Sequence, residues 1–180
     1  MQEIERVFLL KKLPKDLKSC KNVYLKSSEL SNGDQVLRLR MERKDKKTKY
    51  EITKKYYKIS DSKSRQEVTI DLSKEEFDKL WNSVDHYHER TRYFYPIGKY
   101  VAEIDFYKGN KNGYCRIGVE FPSISEAEAF TPPPWFGKEV EIEVDSEIHR
   151  DFSKLNFDEL TERYKKFGIK LEKIADDRNV

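Results

Sequence analysis

Ionisable residues two apart along short extended segments are the chemistry-bearing feature of this chain. In the first segment Glu3, Glu5 and Val7 share one face. Later Arg38, Arg40 and Glu42 do, as do Glu51, Thr53 and Lys55, and Arg65, Glu67 and Thr69. His88, Arg90 and Arg92 form another stripe, followed by Glu103 with Asp105, and by Arg116, Gly118 and Glu120. Along a strand, residues i and i+2 point the same way, so each segment carries one charged face and one apolar face. Guanidinium and ammonium groups bind phosphate oxygens, and carboxylates hold divalent ions. Stripes mixing both suit a polyanion site with a metal.

The elements that must position these stripes are strands. Period-two alternation marks 3–10, 22–30, 35–43, 48–57, 65–72, 88–95, 100–107, 114–121 and 139–145. Asn32-Gly33-Asp34 and the run from Lys108 to Gly113 supply turns. Ser73 with Glu76 has capping-box spacing and starts a helix through Phe77, Leu80 and Trp81. Short helices are expected at 125–130 and, between Asn156 and Gly168, at 156–167. Three prolines, Pro132 to Pro134, force an extended stretch.

Composition bounds the function classes. At 180 residues the chain fits one domain spanning 1–180. Charged residues make up 38 %, yet the net charge is only +3, so nothing in the overall charge marks a nucleic-acid binder. An aromatic content of 13 % argues against disorder. Cys20 and Cys115 have no metal-site spacing, and no run is apolar enough to span a bilayer. The expected setting is cytoplasmic. His86 and His88 have same-face spacing for a transition metal but no third ligand nearby, so a role lining an interior or facing solvent is preferred.

Alternation alone leaves two arrangements open. The charges face water while the apolar face covers a core, or the charges line an enclosed interior while helices cover the apolar outside.

A set of ordered matches bears on this choice. Glu3-Ile4-Glu5-Arg6 resembles the Glu-x-Glu-x-Lys opening of the CYTH superfamily, the triphosphate tunnel metalloenzymes. Leu37-Arg38-Leu39-Arg40 resembles that family's arginine strand, and Ile52-Thr53-Lys54-Lys55 its Leu-Thr-Ile-Lys strand. Arg65 to Ile70, Arg90-Thr91-Arg92-Tyr93, Glu103 to Gly109, Val119-Glu120-Phe121 and Trp135 to Val140 follow in family order. The resemblance covers roughly residues 1–145.

It implies an α+β, mainly β fold: a closed eight-stranded antiparallel β-barrel, or tunnel, with flanking helices. It implies hydrolysis of a triphosphate, inorganic or organic, with Mg²⁺ or Mn²⁺. A weak nucleotide or polyphosphate binding module and a class IV adenylate cyclase-like enzyme are the alternatives. By position, Arg38, Arg40, Lys55, Arg90 and Arg92 bind phosphate, and Glu3, Glu5 and Glu120 carry metal. Glu5, Arg92 and Glu120 are the catalytic candidates, and Glu67, His88, Glu103 and Asp105 further line the tunnel. The partner is a triphosphate-containing small molecule, with nucleic acid entering only as a 5′-triphosphate end; a monomer or homodimer is expected.

The chain departs from the pattern at two positions. Val7 stands where the family has lysine, and Gly118 where it has the first glutamate of the late Glu-x-Glu. Arg116 shares the face of Glu120 and is the expected replacement cation.

Overall fold

The structure is a computed structural model and describes residues 4–32, 35–57 and 65–175. Among the described residues nine strands form one sheet: β1 (Ile4–Leu10), β2 (Asn22–Asn32), β3 (Gln35–Lys44), β4 (Lys47–Tyr57), β5 (Arg65–Leu72), β6 (His88–Ile97), β7 (Tyr100–Tyr107), β8 (Cys115–Phe121) and β9 (Phe136–Val140). Their spatial order is β5-β4-β3-β2-β6-β7-β8-β1-β9, with every neighbouring pair antiparallel. Long runs of alternating residues joined by short turns favour this meander.

The expected closed eight-stranded barrel is corrected to a nine-stranded sheet whose ends, β5 and β9, do not pair with each other among the described residues. The reason lies at β1. Its two edges are taken by β8 and β9, so no edge of β1 remains for β5.

Helix α1 (Lys74–Trp81) begins at the expected capping box, with Ser73 accepting from the Glu76 amide and the Glu76 carboxylate accepting from Ser73. Helix α2 (Ile124–Ala129) follows β8. The expected strand over 139–145 is also corrected: β9 ends at Val140, and Ile142–Ile148 is helix α3. Val140, Ile142 and Val144 alternate as a strand would, but Val144 and Ile148 also lie one helical turn apart, and burial of Ile148 favours the helix. A 3-10 turn at Phe152–Lys154 leads into α4 (Phe157–Lys166), which has an Asn156/Glu159 capping box and ends at Gly168 with φ 67°. The turn at Gly33-Asp34 lies outside the described residues.

Two apolar cores sit on opposite faces of the same strands. On the outer face Phe8, Leu10, Ala102, Ile104, Phe106, Ile117, Val119 and Phe121 pack with Phe130 and Phe136 under α2. Arg6, also on that face, pairs with Glu139 and donates to the carbonyls of Ala127 and Phe130 at the end of α2. On the inner face Val7, Leu9, Tyr107, Tyr114 and Val140 pack with Ile148, Phe152, Leu155, Leu160 and Tyr164 of the C-terminal segment. That segment touches both β1 and β2, which three strands separate, so the sheet wraps around its inner face. The flanking helices are therefore divided: α2 lies outside, while α3 and α4 cover part of the charged side. No helix among the described residues is long and apolar enough to cross a membrane.

Candidate functional site

Strand register assembles the charged stripes into one field. Ser27 of β2 stands opposite both Arg40 on β3 and His88 on β6. Arg38 and Arg40 stand opposite Thr53 and Glu51 on β4, and Lys55 stands opposite Glu67 on β5. Across β6 and β7, Asp105 stands between Arg92 and Arg116. Glu5 faces Glu120, while Glu103 faces Gly118.

On β3 and β4 the cations outweigh their partners. Glu51 lies 3.6 Å from Arg38, 3.7 Å from Arg40 and 3.5 Å from Lys49. Lys55 pairs with Glu67. Arg38 also donates to Thr53 Oγ1 at 3.3 Å, and Arg40 Nε to Ser27 Oγ at 3.4 Å. The buried Arg38 Nε has no hydrogen-bond partner among the described residues. Burial, then the charges of Arg38, Arg90 and Arg92, push the Arg40 guanidinium well below the ordinary arginine range, with Glu51 opposing. Arginine keeps its proton in proteins, so Arg40 stays charged in a setting where burial first, and like-charged neighbours second, oppose the charge, and an anion there would relieve it.

On β6 to β8 the cations are matched. Arg92 binds Asp105 through two bonds of 2.7 and 2.8 Å and also pairs with Glu103. Arg90 Nε lies 3.0 Å from Asp105. Burial alone would raise the Asp105 carboxyl, but Arg92 and Arg90 hold it well below the usual carboxylate range. Glu103 moves the other way: burial raises it, Arg92 opposes, and the neighbouring charges of Asp105 and Glu5 add to the rise.

Arg116 points to the inner face as expected and is held by carboxylates on two sides. Its Nη2 lies 3.0 Å from Asp145 on α3 and 3.4 Å from Glu5. Burial lowers its affinity for the proton, but Asp145 and Glu5 more than compensate. Gly118 permits part of this arrangement, because a Cβ there would collide with Glu5 Oε1. At Val7, where a lysine is expected, the side chain is 1 % exposed beneath the C-terminal helices, and an apolar residue fits that cover.

Glu103 and Glu120 flank a cavity of about 460 Å³ together with Phe94, Val101 and Tyr100. Among the described residues no three His, Cys, Asp or Glu side chains stand close enough to hold a metal unaided. Glu3 lies outside the described residues.

His86 and His88 do not act together. His86 is exposed, whereas His88 is 4 % exposed and bonded to Ser153 and Arg90. Asp145 and Ser153 are site residues that the strand alternation misses. The signal for Asp145 is its spacing of four from His149, the residue at the C-terminal end of α3, which it contacts. Nothing in the sequence marks Ser153.

No family model matches the chain. An inorganic triphosphatase of Nitrosomonas europaea is 34 % identical over 143 residues, covering 78 % of this chain and 89 % of that protein. A crystal structure of an inorganic triphosphatase superposes with a TM-score of 0.60 at 30 % identity, covering 87 % of this chain and 95 % of that one. A protein of Pyrococcus horikoshii shares the fold at 16 % identity and a TM-score of 0.51, over 86 % of this chain and 92 % of that one.

Proposed function

Because the chain belongs to the same family as the inorganic triphosphatase of Nitrosomonas europaea, we propose that it hydrolyses a triphosphate on the inner face of its sheet, as a CYTH-type enzyme. The observation that carries this reading is the strip of cations that strand register sets side by side, Arg38 and Arg40 on β3, Lys55 on β4, and Arg90 and Arg92 on β6, in which Arg38 and Arg40 share the carboxylate of Glu51. A chain of phosphates, with several negative charges in line, is the ligand whose shape and charge suit such a strip.

Arg38, Arg40 and Lys55 hold the phosphate oxygens from the β3–β4 side, and Arg90 and Arg92 from β6. The Asp105 carboxylate fixes the Arg92 guanidinium before any ligand arrives, so little reorganisation is needed as charge shifts during phosphoryl transfer. Arg116, saturated by Glu5 and Asp145, orients those carboxylates and reaches phosphate only if one of them yields.

Glu5 and Glu120, which stand opposite each other on β1 and β8, would supply hard oxygens to Mg²⁺ or Mn²⁺, with Glu3 of the same motif, and Glu103 would lie beside them. Glu103 is already pushed up by burial and by Asp105 and Glu5, the condition a nearby cation reverses. A Mg²⁺ ion commonly takes one or two protein carboxylates and fills its shell with water and phosphate oxygens. When bound, the ion neutralises phosphate charge and polarises the phosphoryl group. Glu67 balances Lys55 at the far side of the field.

Phosphate release from tripolyphosphate and from ATP, with and without Mg²⁺ or Mn²⁺, tests the proposal. Metal-dependent release from tripolyphosphate is expected, abolished by a chelator and restored by either ion. A second reading, binding without turnover, draws on Gly118, which removes one carboxylate from the metal side. Tight tripolyphosphate binding with no release in any metal would favour it, and cyclic nucleotide with pyrophosphate from ATP would instead mark a cyclase.

A further inference from the structure

One inner-face residue has no place in the scheme above. His88 is buried at the start of β6, two positions before Arg90 and on the same face. Its Nε2 lies 3.0 Å from Arg90 Nη1, and its Nδ1 lies 3.1 Å from Ser153 Oγ. Its ring packs edge-on against Phe152, which locks the ring plane.

The donor inventory assigns the protons. A guanidinium only donates, so Nε2 facing Arg90 must present its lone pair. A neutral imidazole with a bare Nε2 carries its hydrogen on Nδ1, and that hydrogen meets Ser153 Oγ. Burial and the charges of Arg90, Lys111, Arg40 and His149 push the His88 imidazolium well below its ordinary range, in keeping with a ring that stays neutral. Arg90 Nε is buried and lies 3.0 Å from Asp105, but among the described residues it makes no hydrogen bond, so the bond from Nη1 to His88 adds a directional contact that orients this guanidinium.

We infer that His88 is a positioning residue: Ser153 of the C-terminal segment anchors its Nδ1–H, and its bare Nε2 sets the angle at which Arg90 faces the phosphate chain. This rests on the reading of Arg90 as a phosphate-holding residue, and it gives the C-terminal segment a part in substrate binding. Histidine suits the position because its two ring nitrogens link two partners on opposite sides while its body fills an aromatic cluster.

The test compares His88→Leu, His88→Gln, Ser153→Ala, Arg90→Ala and the His88→Leu/Arg90→Ala double variant in the full chain. KM and kcat are measured for tripolyphosphate with Mg²⁺, and Tm is measured alongside. Losing an orienting bond to a charged group should raise KM about tenfold in His88→Leu, with kcat changed less than about twofold. His88→Gln, whose amide oxygen reaches the place of Nε2, should restore most of the lost affinity. Ser153→Ala should shift KM the same way by about threefold. In the double variant the His88 change should add nothing to Arg90→Ala, since both act through one contact.

Full multiplication of the two effects, or a lowered Tm with unchanged KM in His88→Leu, overturns the inference. If Arg90→Ala raises KM while His88→Leu does not, only the positioning role fails. An unchanged KM in Arg90→Ala removes the premise as well. Should His88→Leu not fold, Ser153→Ala, which removes a single hydroxyl, decides the matter: wild-type KM refutes the relay.

Discussion

The two halves of the sheet handle their charges in opposite ways. On β3 and β4, Glu51 serves Arg38, Arg40 and Lys49 together, and the outer side of β5 is bare, with Val68 54 % and Ile70 58 % exposed. On β6 to β8, Arg92 has both Asp105 and Glu103, Arg116 has both Asp145 and Glu5, and apolar cores cover both faces. One half holds an excess of positive charge near the surface, and the other is prearranged and enclosed. The difference teaches that cations alike in sequence divide into two kinds: those left short of carboxylate partners, and those that carboxylates already hold in place.

Arg92→Ala should produce the largest effect. It leaves Asp105 buried and short of its main partner, at a cost of about 3–5 kcal/mol by urea denaturation. A loss below about 1 kcal/mol would break the comparison. Ile117→Ala, under the outer core, should cost about 2–4 kcal/mol on the same scale.

Arg40→Ala should separate binding from stability. Tripolyphosphate affinity should fall by about 10- to 100-fold, from the loss of a charge-assisted contact worth about 1.5–3 kcal/mol. Stability without ligand should hold or rise, because a like charge leaves the field of Arg38, Arg90 and Arg92. A marked loss of stability would place Arg40 with the matched cations.

Acid should act first on the matched half. Asp105 and Asp145 are both held well below the usual carboxylate range, by Arg92 with Arg90 and by Arg116 with His149. Their folded forms bind a proton less readily than their unfolded forms. The stability they contribute is therefore present above the unfolded carboxylate value, about pH 4, and is lost as pH falls towards the folded values. Tm measured from pH 6 downward should drop steeply below about pH 4, and the drop should be shallower in Asp145→Asn. The smallest effect is expected at Ile70→Ala, within about 0.5 kcal/mol of the parent, since its side chain is already in water.

Much of the architecture was readable from residue order. Arg65–Leu72 and Tyr100–Tyr107 are strands over the ranges that alternation predicts, and the Ser73 and Asn156 caps start the helices they announce. These are local signals, decided by backbone geometry and by which side chains lie two or four apart. The membership of each stripe follows for the same reason, so the side of the strand carrying Arg38, Arg40, Arg90, Arg92, Glu103 and Asp105 was legible before any contact was known.

What tertiary structure alone decided is how those stripes are used. Among the described residues the sheet ends in β9 and does not close on β5, because pairing edges are chosen between segments far apart in the chain. Glu139–Asp145 divides into strand and helix because Ile148 finds a buried place on the inner face. Asp145 meets Arg116 across 29 residues and Ser153 meets His88 across 65, and such pairs carry no periodic mark. Alternation reports which side of a strand a charge occupies, whereas its neutralisation depends on packing between distant segments, and that balance separates an under-partnered arginine such as Arg40 from a prearranged one such as Arg92.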